Sequence, residues 1–203
     1  MKRRVAVTGM AGISPIGNDW PSVRARLAEY RNAVKRMDEW SGYDGLHTQL
    51  GAPAAEFALS ERYTTKSTRS MGRVALMATR ASELALRDAG LVDDPLIKSG
   101  NLGIAYGSSA GTPKAICDFG MMINERSTKG INATTYIKMM GHTAPVNLGV
   151  FLGVTGRIIT TSSACTSGSQ GIGYAYETVC AGRQRAMIAG GAEELCVTEV
   201  AVF

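Results

Sequence analysis

Short β-branched runs alternate along this chain with stretches whose apolar residues recur at helical spacing. Arg4-Val5-Ala6-Val7-Thr8-Gly9 predicts a short buried strand ending at glycine. Asn101-Leu102-Gly103-Ile104-Ala105-Tyr106-Gly107 predicts a second strand, and Ala186-Met187-Ile188-Ala189-Gly190-Gly191 a third buried one ending in a glycine pair. Asp19, with Pro21 two residues on, predicts an N-capped helix through about Tyr30. Residues 40–58 lack clear periodicity and are expected to be loops with a short strand near 48–52. Met71, Val74, Ala75, Ala78, Ala81 and Ala85 mark one face of a helix that ends at Ala89-Gly90. Pro113 suits the first position of another helix, with Ile116, Phe119 and Gly120 facing inward, and residues 146–152 read as helical. This alternation predicts an α/β fold whose helices cover a mainly parallel sheet.

The most informative stretch is Ile158-Ile159-Thr160-Thr161-Ser162-Ser163-Ala164-Cys165-Thr166-Ser167-Gly168-Ser169-Gln170-Gly171. A β-branched run gives way to small residues and a cysteine. A helical pattern then follows, with Ile172, Ala175, Tyr176, Val179 and Cys180 expected on one face. Cys165 is thus placed on a strand-to-helix turn, where unpaired N–H groups and the helix dipole stabilise a thiolate. Its small neighbours leave room for a substrate. On position alone, a nucleophilic thiol and a small buried hydrophobe both remain open.

Composition narrows the classes. The 203 residues allow one substantial core, or half of a larger domain. Cys117, Cys165, Cys180 and Cys196 show neither CxxC nor regular spacing, so no zinc site or disulfide framework is indicated and a reduced setting fits best. A net charge of +5 with only 6% aromatic residues is mild for a nucleic-acid binder and suits an acidic protein partner. No apolar run reaches transmembrane length, and Met1-Lys2-Arg3-Arg4 leads into a pattern too short for a signal peptide; a soluble, cytoplasmic protein is expected.

Other candidate chemistry is weaker. The glycines of residues 9–17 have the wrong spacing for a dinucleotide loop, and Pro15 stands where a helix should begin, so a turn is expected. His47 and His142 read as packing or surface residues. Glu193 and Glu194 are adjacent and point apart on a strand, which suits a structural pairing or a place at a site's rim. Lys66, Arg69 and Arg73 gather positive charge before the clearest helix, which by itself reads as a solvated face.

The segment Ser163-Ala164-Cys165-Thr166-Ser167-Gly168, with Arg183-Gln184-Arg185-Ala186-Met187-Ile188-Ala189-Gly190-Gly191-Ala192-Glu193-Glu194 downstream, resembles the active-site region of the β-ketoacyl-acyl-carrier-protein synthases. These are the elongating condensing enzymes of fatty-acid synthesis, with a thiolase-like fold. The resemblance implies that Cys165 carries the growing acyl chain as a thioester, accepted from acyl carrier protein and condensed with malonyl-carrier protein to give 3-oxoacyl-carrier protein. It implies that Ala110 lines the acyl pocket and that Phe203 lies near the pocket floor. Lys66 and Arg69 fall where the family receives the acidic carrier protein, while Ser70 replaces what is often a further basic residue. Residues 157–161 would run beside their twin across a homodimer axis. No cofactor, metal, nucleic acid or membrane is implied.

The resemblance covers residues 1–203 as the N-terminal half of a five-layered α-β-α-β-α body built from two α/β units. The family's two histidines and lysine belong to the other half. This chain alone is therefore expected to be inactive and unable to fold stably. Two further readings are a non-catalytic chain-length partner subunit, which Cys165 argues against, and a polyketide ketosynthase, which these residues do not separate. A thiolase or an initiating synthase is disfavoured by Thr166-Ser167-Gly168 and by the Ala-Gly-Gly-Ala-Glu strand end.

Overall fold

The computed structural model describes residues 3–202, and these divide into two compact units. The smaller comprises residues 11–58 with the described residues from Glu194 onward. Its first helix, α1 (Trp20–Ala28), is capped as expected. The Asp19 carboxylate accepts from Ser22 N–H and from Ser22 Oγ, each at 2.8 Å, which holds the acid below its usual range. Strands β1 (Lys35–Arg36) and β2 (Leu50–Gly51) pair antiparallel. The sequence pattern pointed only to the second of them. Trp40 is buried beside Gly51, where a Cβ would lie 2.8 Å from the indole.

The larger unit, the described residues up to Met10 together with residues 59–193, holds the parallel sheet. It contains α2 (Thr65–Thr68), α3 (Arg73–Asp88), β3 (Leu102–Gly107), α4 (Pro113–Glu125), α5 (Ala133–Met139), α6 (Thr143–Leu152), β4 (Ile158–Thr161), α7 (Ser167–Cys180) and β5 (Ala186–Gly191). A last short helix, α8 (Val197–Val200), belongs to the smaller unit. The sheet order is β4-β3-β5 and every pairing is parallel. Helices α3 and α6 pack together, with α6 against β3 and β4, and α7 lies on all three strands.

The two faces of β3 differ in size. Leu102, Ile104 and Tyr106 enter one core with Val74, Ala78 and Leu86 of α3 and Ala144, Leu148 and Leu152 of α6. Full burial of such side chains contributes roughly 1.5–3 kcal/mol each. The alternate residues, Gly103, Ala105 and Gly107, leave the other face almost flat. There α7 approaches closely: a Cβ on Gly107 would lie 2.6 Å from Ser167 O, and one on Gly171 2.8 Å from Ala105 O.

That approach corrects the face predicted for α7. The inward residues are Ser167, Gly171, Ala175 and Thr178, whereas Ile172 and Tyr176 are exposed. Side chains of their size do not fit between helix and sheet at this separation. Ile116 and Gly120 of α4 also face outward, while Pro113 and Ala115 are buried. The strand predicted over residues 4–9 does not form. The segment has no ladder partner among the described residues: Arg3 N–H donates to Cys180 O at 3.4 Å, Met10 N–H to the Asp88 carboxylate at 2.9 Å, and Val7 is exposed. As an edge strand β5 is only half-buried, apart from the buried Ile188 and the exposed Gly191.

Two predictions concern the full-length protein. Replacing Gly107 with Ala should destabilise the fold by about 1–3 kcal/mol through the clash with the first turn of α7; an unchanged urea midpoint would refute the close-approach argument. Burial pushes the Tyr106 phenol up to about 12. The unfolded chain ionises the same group near 10, so it sheds its proton first as pH rises. Stability from this group is thus intact below about pH 10 and declines toward about pH 12. Urea midpoints should fall more steeply over that window in the wild type than in Tyr106→Phe, and parallel slopes would remove Tyr106 as the source.

Candidate active site

Cys165 lies just beyond the carboxyl end of β4, where ligands characteristically bind in open parallel sheets. Small hydroxyl residues build its turn. Ser163 N–H donates to Ser167 Oγ at 2.8 Å, and that hydroxyl donates onward to Ala164 O at 2.7 Å. Thr166 Oγ1 donates to Ser163 O at 2.8 Å, and Thr161 Oγ1 to Ser167 O at 2.8 Å. The network holds Ala164 in the left-handed region at φ 50°, a conformation that costs a non-glycine residue about 1 kcal/mol or more. The result is a tight elbow with Cys165 at its apex.

The Cys165 side chain is exposed, and its backbone N–H makes no hydrogen bond to any described residue. An exposed thiol beside an unused N–H at a helix start can attack a carbonyl and donate to the oxyanion that forms. The exposure of Cys165 fits a nucleophile better than a buried filler. Cys117 is also an exposed free thiol, but it lies within α4.

Two further segments border the turn. The loop after β3 contains Ala110, half-buried, between Ser108 and Gly111. Ser108 N–H donates to Thr161 O at 3.3 Å, which ties this loop to β4. Gly141 faces both: a Cβ there would lie 2.6 Å from Ser108 O and 3.2 Å from Ser162 Oγ. Gly111, at φ 69°, packs against Met139 O. Phe203 lies outside the described residues.

Glu193, two residues past the end of β5, reaches the same edge with its carboxylate on Ser108 and Ser109. The sequence flagged this residue without identifying its partners, which lie 84 and 85 positions away. Neither histidine is bonded to Cys165 among the described residues: His142 is half-buried at the N-cap of α6 with no side-chain cap bond, and His47 lies in a loop of the smaller unit. No cluster of three His, Cys, Asp or Glu suited to a metal occurs among the described residues.

The basic patch has its own support. Lys66 lies on α2 and Arg69 caps that helix, both exposed and without an ion pair among the described residues. Just upstream, Ser60 and Tyr63 hydroxyls donate to the buried Glu83 at 3.2 and 3.3 Å, and Arg80 pairs with that acid at 2.6 Å. Tyr63 packs on Phe151 with ring centroids 4.5 Å apart, and its burial, aided by Glu83, pushes the phenol well above its usual range. Ser70 is turned inward instead, donating to Asn147 Oδ1 at 2.7 Å. This accounts for a neutral residue where the resemblance expects a basic one.

The sequence profile described as "Beta-ketoacyl synthase, N-terminal domain" matches residues 2–203. The 3-oxoacyl-[acyl-carrier-protein] synthase 2 of Synechocystis sp. is 29% identical over 95% of this chain and 46% of its own length. The corresponding synthase 1 of Haemophilus influenzae is 30% identical over 97% of this chain and 49% of its own length. A crystal structure of a β-ketoacyl synthase from Burkholderia phymatum superposes on the whole chain with a TM-score of 0.95 and 50% identity, again over 50% of that protein. The chain thus spans about half the length of these relatives. A profile match over nearly every residue, joined to this superposition and to the cysteine elbow at the carboxyl end of β4, places the chain in the β-ketoacyl synthase family.

Proposed function

We propose that this chain is the N-terminal half of an elongating 3-oxoacyl-acyl-carrier-protein synthase of fatty-acid synthesis, with Cys165 as its nucleophile. The exposed cysteine with a free backbone N–H at the start of α7 carries the proposal. Cys165 Sγ attacks the carbonyl carbon of an acyl thioester, forming a new thioester and releasing the carrier's thiol. The Cys165 N–H supplies one donor to the tetrahedral oxyanion. Malonyl-carrier protein then loses carbon dioxide, and its enolate carbon attacks the acyl-enzyme carbonyl. The products are 3-oxoacyl-carrier protein and the regenerated thiolate. Polarising the malonyl group falls to residues outside this chain.

The acyl chain runs past Ala110, whose small side chain leaves the pocket open. Acyl carrier protein docks on Lys66 and Arg69, a reading supported by their exposure and by the rigid anchoring of the preceding segment. The names of the two synthase relatives support the same class of partner. A homodimer with residues 157–161 beside their twin is supported by the position of β4 at the sheet edge. Four free thiols favour the cytoplasm, and no described helix is long and apolar enough to cross a membrane.

The intact mass of the full-length protein after incubation with an acyl-carrier-protein thioester should rise by one acyl group mapping to Cys165, and Cys165→Ala should show no adduct. An unmodified wild type would move the assignment to the non-catalytic partner subunit. Reversing charge with Lys66→Glu and Arg69→Glu should weaken carrier-protein binding by about tenfold at low salt and by less as salt rises. A titration with unchanged affinity would reduce the patch to a solvated face.

A further inference from the structure

The loop that carries Ala110 is held by a carboxylate from the segment after β5. Backbone ties along this edge end early: Ala192 N–H donates to Gly107 O at 3.0 Å, and among the described residues no further backbone bond links the segment after β5 to residues 108–111. Glu193 extends the connection with its side chain. Its Oε1 accepts from Ser108 Oγ at 3.0 Å, while Oε2 accepts from Ser109 N–H at 2.7 Å and Ser109 Oγ at 2.5 Å. Ser108 Oγ accepts in turn from Gly111 N–H at 3.0 Å, closing a turn around Ala110. One carboxylate therefore engages both residues that precede Ala110, through bonds stronger than their neutral counterparts. Nothing among the described residues bonds Glu193 to Cys165, so its influence passes through the loop.

We propose that Glu193 is a positioning residue: it holds residues 108–111 so that Ala110 stands at a set depth in the acyl-pocket wall, and thereby sets acyl-chain selectivity. The proposal rests on Ala110 lining the acyl pocket. Cutting the clamp frees the turn to shift, which alters the pocket wall without removing the cysteine elbow. That elbow is built from Ser163, Thr166 and Ser167.

The test compares kcat/KM for a short and a long acyl-carrier-protein thioester in full-length wild type, Glu193→Ala and Glu193→Gln, alongside the rate of Cys165 alkylation by iodoacetamide. Glu193→Ala should change the long-to-short ratio by roughly fivefold or more, because pocket-wall contacts of methylene size discriminate on that scale. Glu193→Gln keeps one acceptor oxygen and should fall between the two, and alkylation should be unchanged throughout. A wild-type ratio in Glu193→Ala overturns the proposal, as does an equal loss on both substrates with slowed alkylation. Should Glu193→Ala prove insoluble, Ser109→Ala removes only the 2.5 Å donor; a smaller ratio shift supports the clamp and an unchanged ratio overturns it. Ala110→Phe tests the underlying reading separately. A shifted profile there with an unchanged ratio in Glu193→Ala removes the clamp alone. The reverse pattern, an altered ratio in Glu193→Ala with an unchanged profile in Ala110→Phe, overturns the proposal, because the carboxylate would then not act through Ala110.

Discussion

The contact between α7 and the sheet is the constraint on which the rest of the larger unit depends. Gly103, Ala105 and Gly107 offer a nearly flat surface, and α7 answers with Ser167, Gly171 and Ala175. On β5, a Cβ at Gly191 would lie 2.8 Å from the Gly168 Cα. Little hydrophobic area is buried in this interface compared with the α3–α6 side, so its stability comes from dense contact between backbones. Close approach also delivers the first turn of α7 to the end of β4, within reach of the Thr161 hydroxyl. The cysteine elbow is thus a consequence of how near the helix lies.

The opposite face works by volume. Leu102, Ile104 and Tyr106 fill a core whose other wall is α3 and α6. Gly149 lets α6 approach Ile158 of β4, and Asn147 spends its polar groups on Ser70 and Thr143. The same asparagine turns Ser70 away from the basic patch, so core packing shapes the charge of the surface around Lys66 and Arg69. Glu83 acts similarly at longer range, since it anchors the segment leading into α2.

At the carboxyl edge of the sheet, polar bonds replace packing. The loops after β3, β4 and β5 meet through Ser108, Ser162, Glu193 and the backbone at Gly141. Hydroxyls and one carboxylate hold these loops without bulky side chains, which keeps the space around Cys165 open.

Much of this was legible in the chain itself. β-Branched runs and glycine ends marked β3, β4 and β5. Asp19, Pro113 and Ala89-Gly90 marked helix ends, because caps and fixed φ angles are local properties. The Cys165 turn was legible for the same reason. Tertiary structure alone decided which helix face turned inward: Ile172 and Tyr176 carry the apolar signal, yet helix-to-sheet distance selects Gly171 and Ala175. It alone decided that residues 4–9, apolar as they are, remain without a ladder, since pairing depends on where the rest of the fold carries the segment. The partners of Glu193 and Ser70 lie 77 to 85 positions away along the chain, and only folding brings such groups within a hydrogen bond.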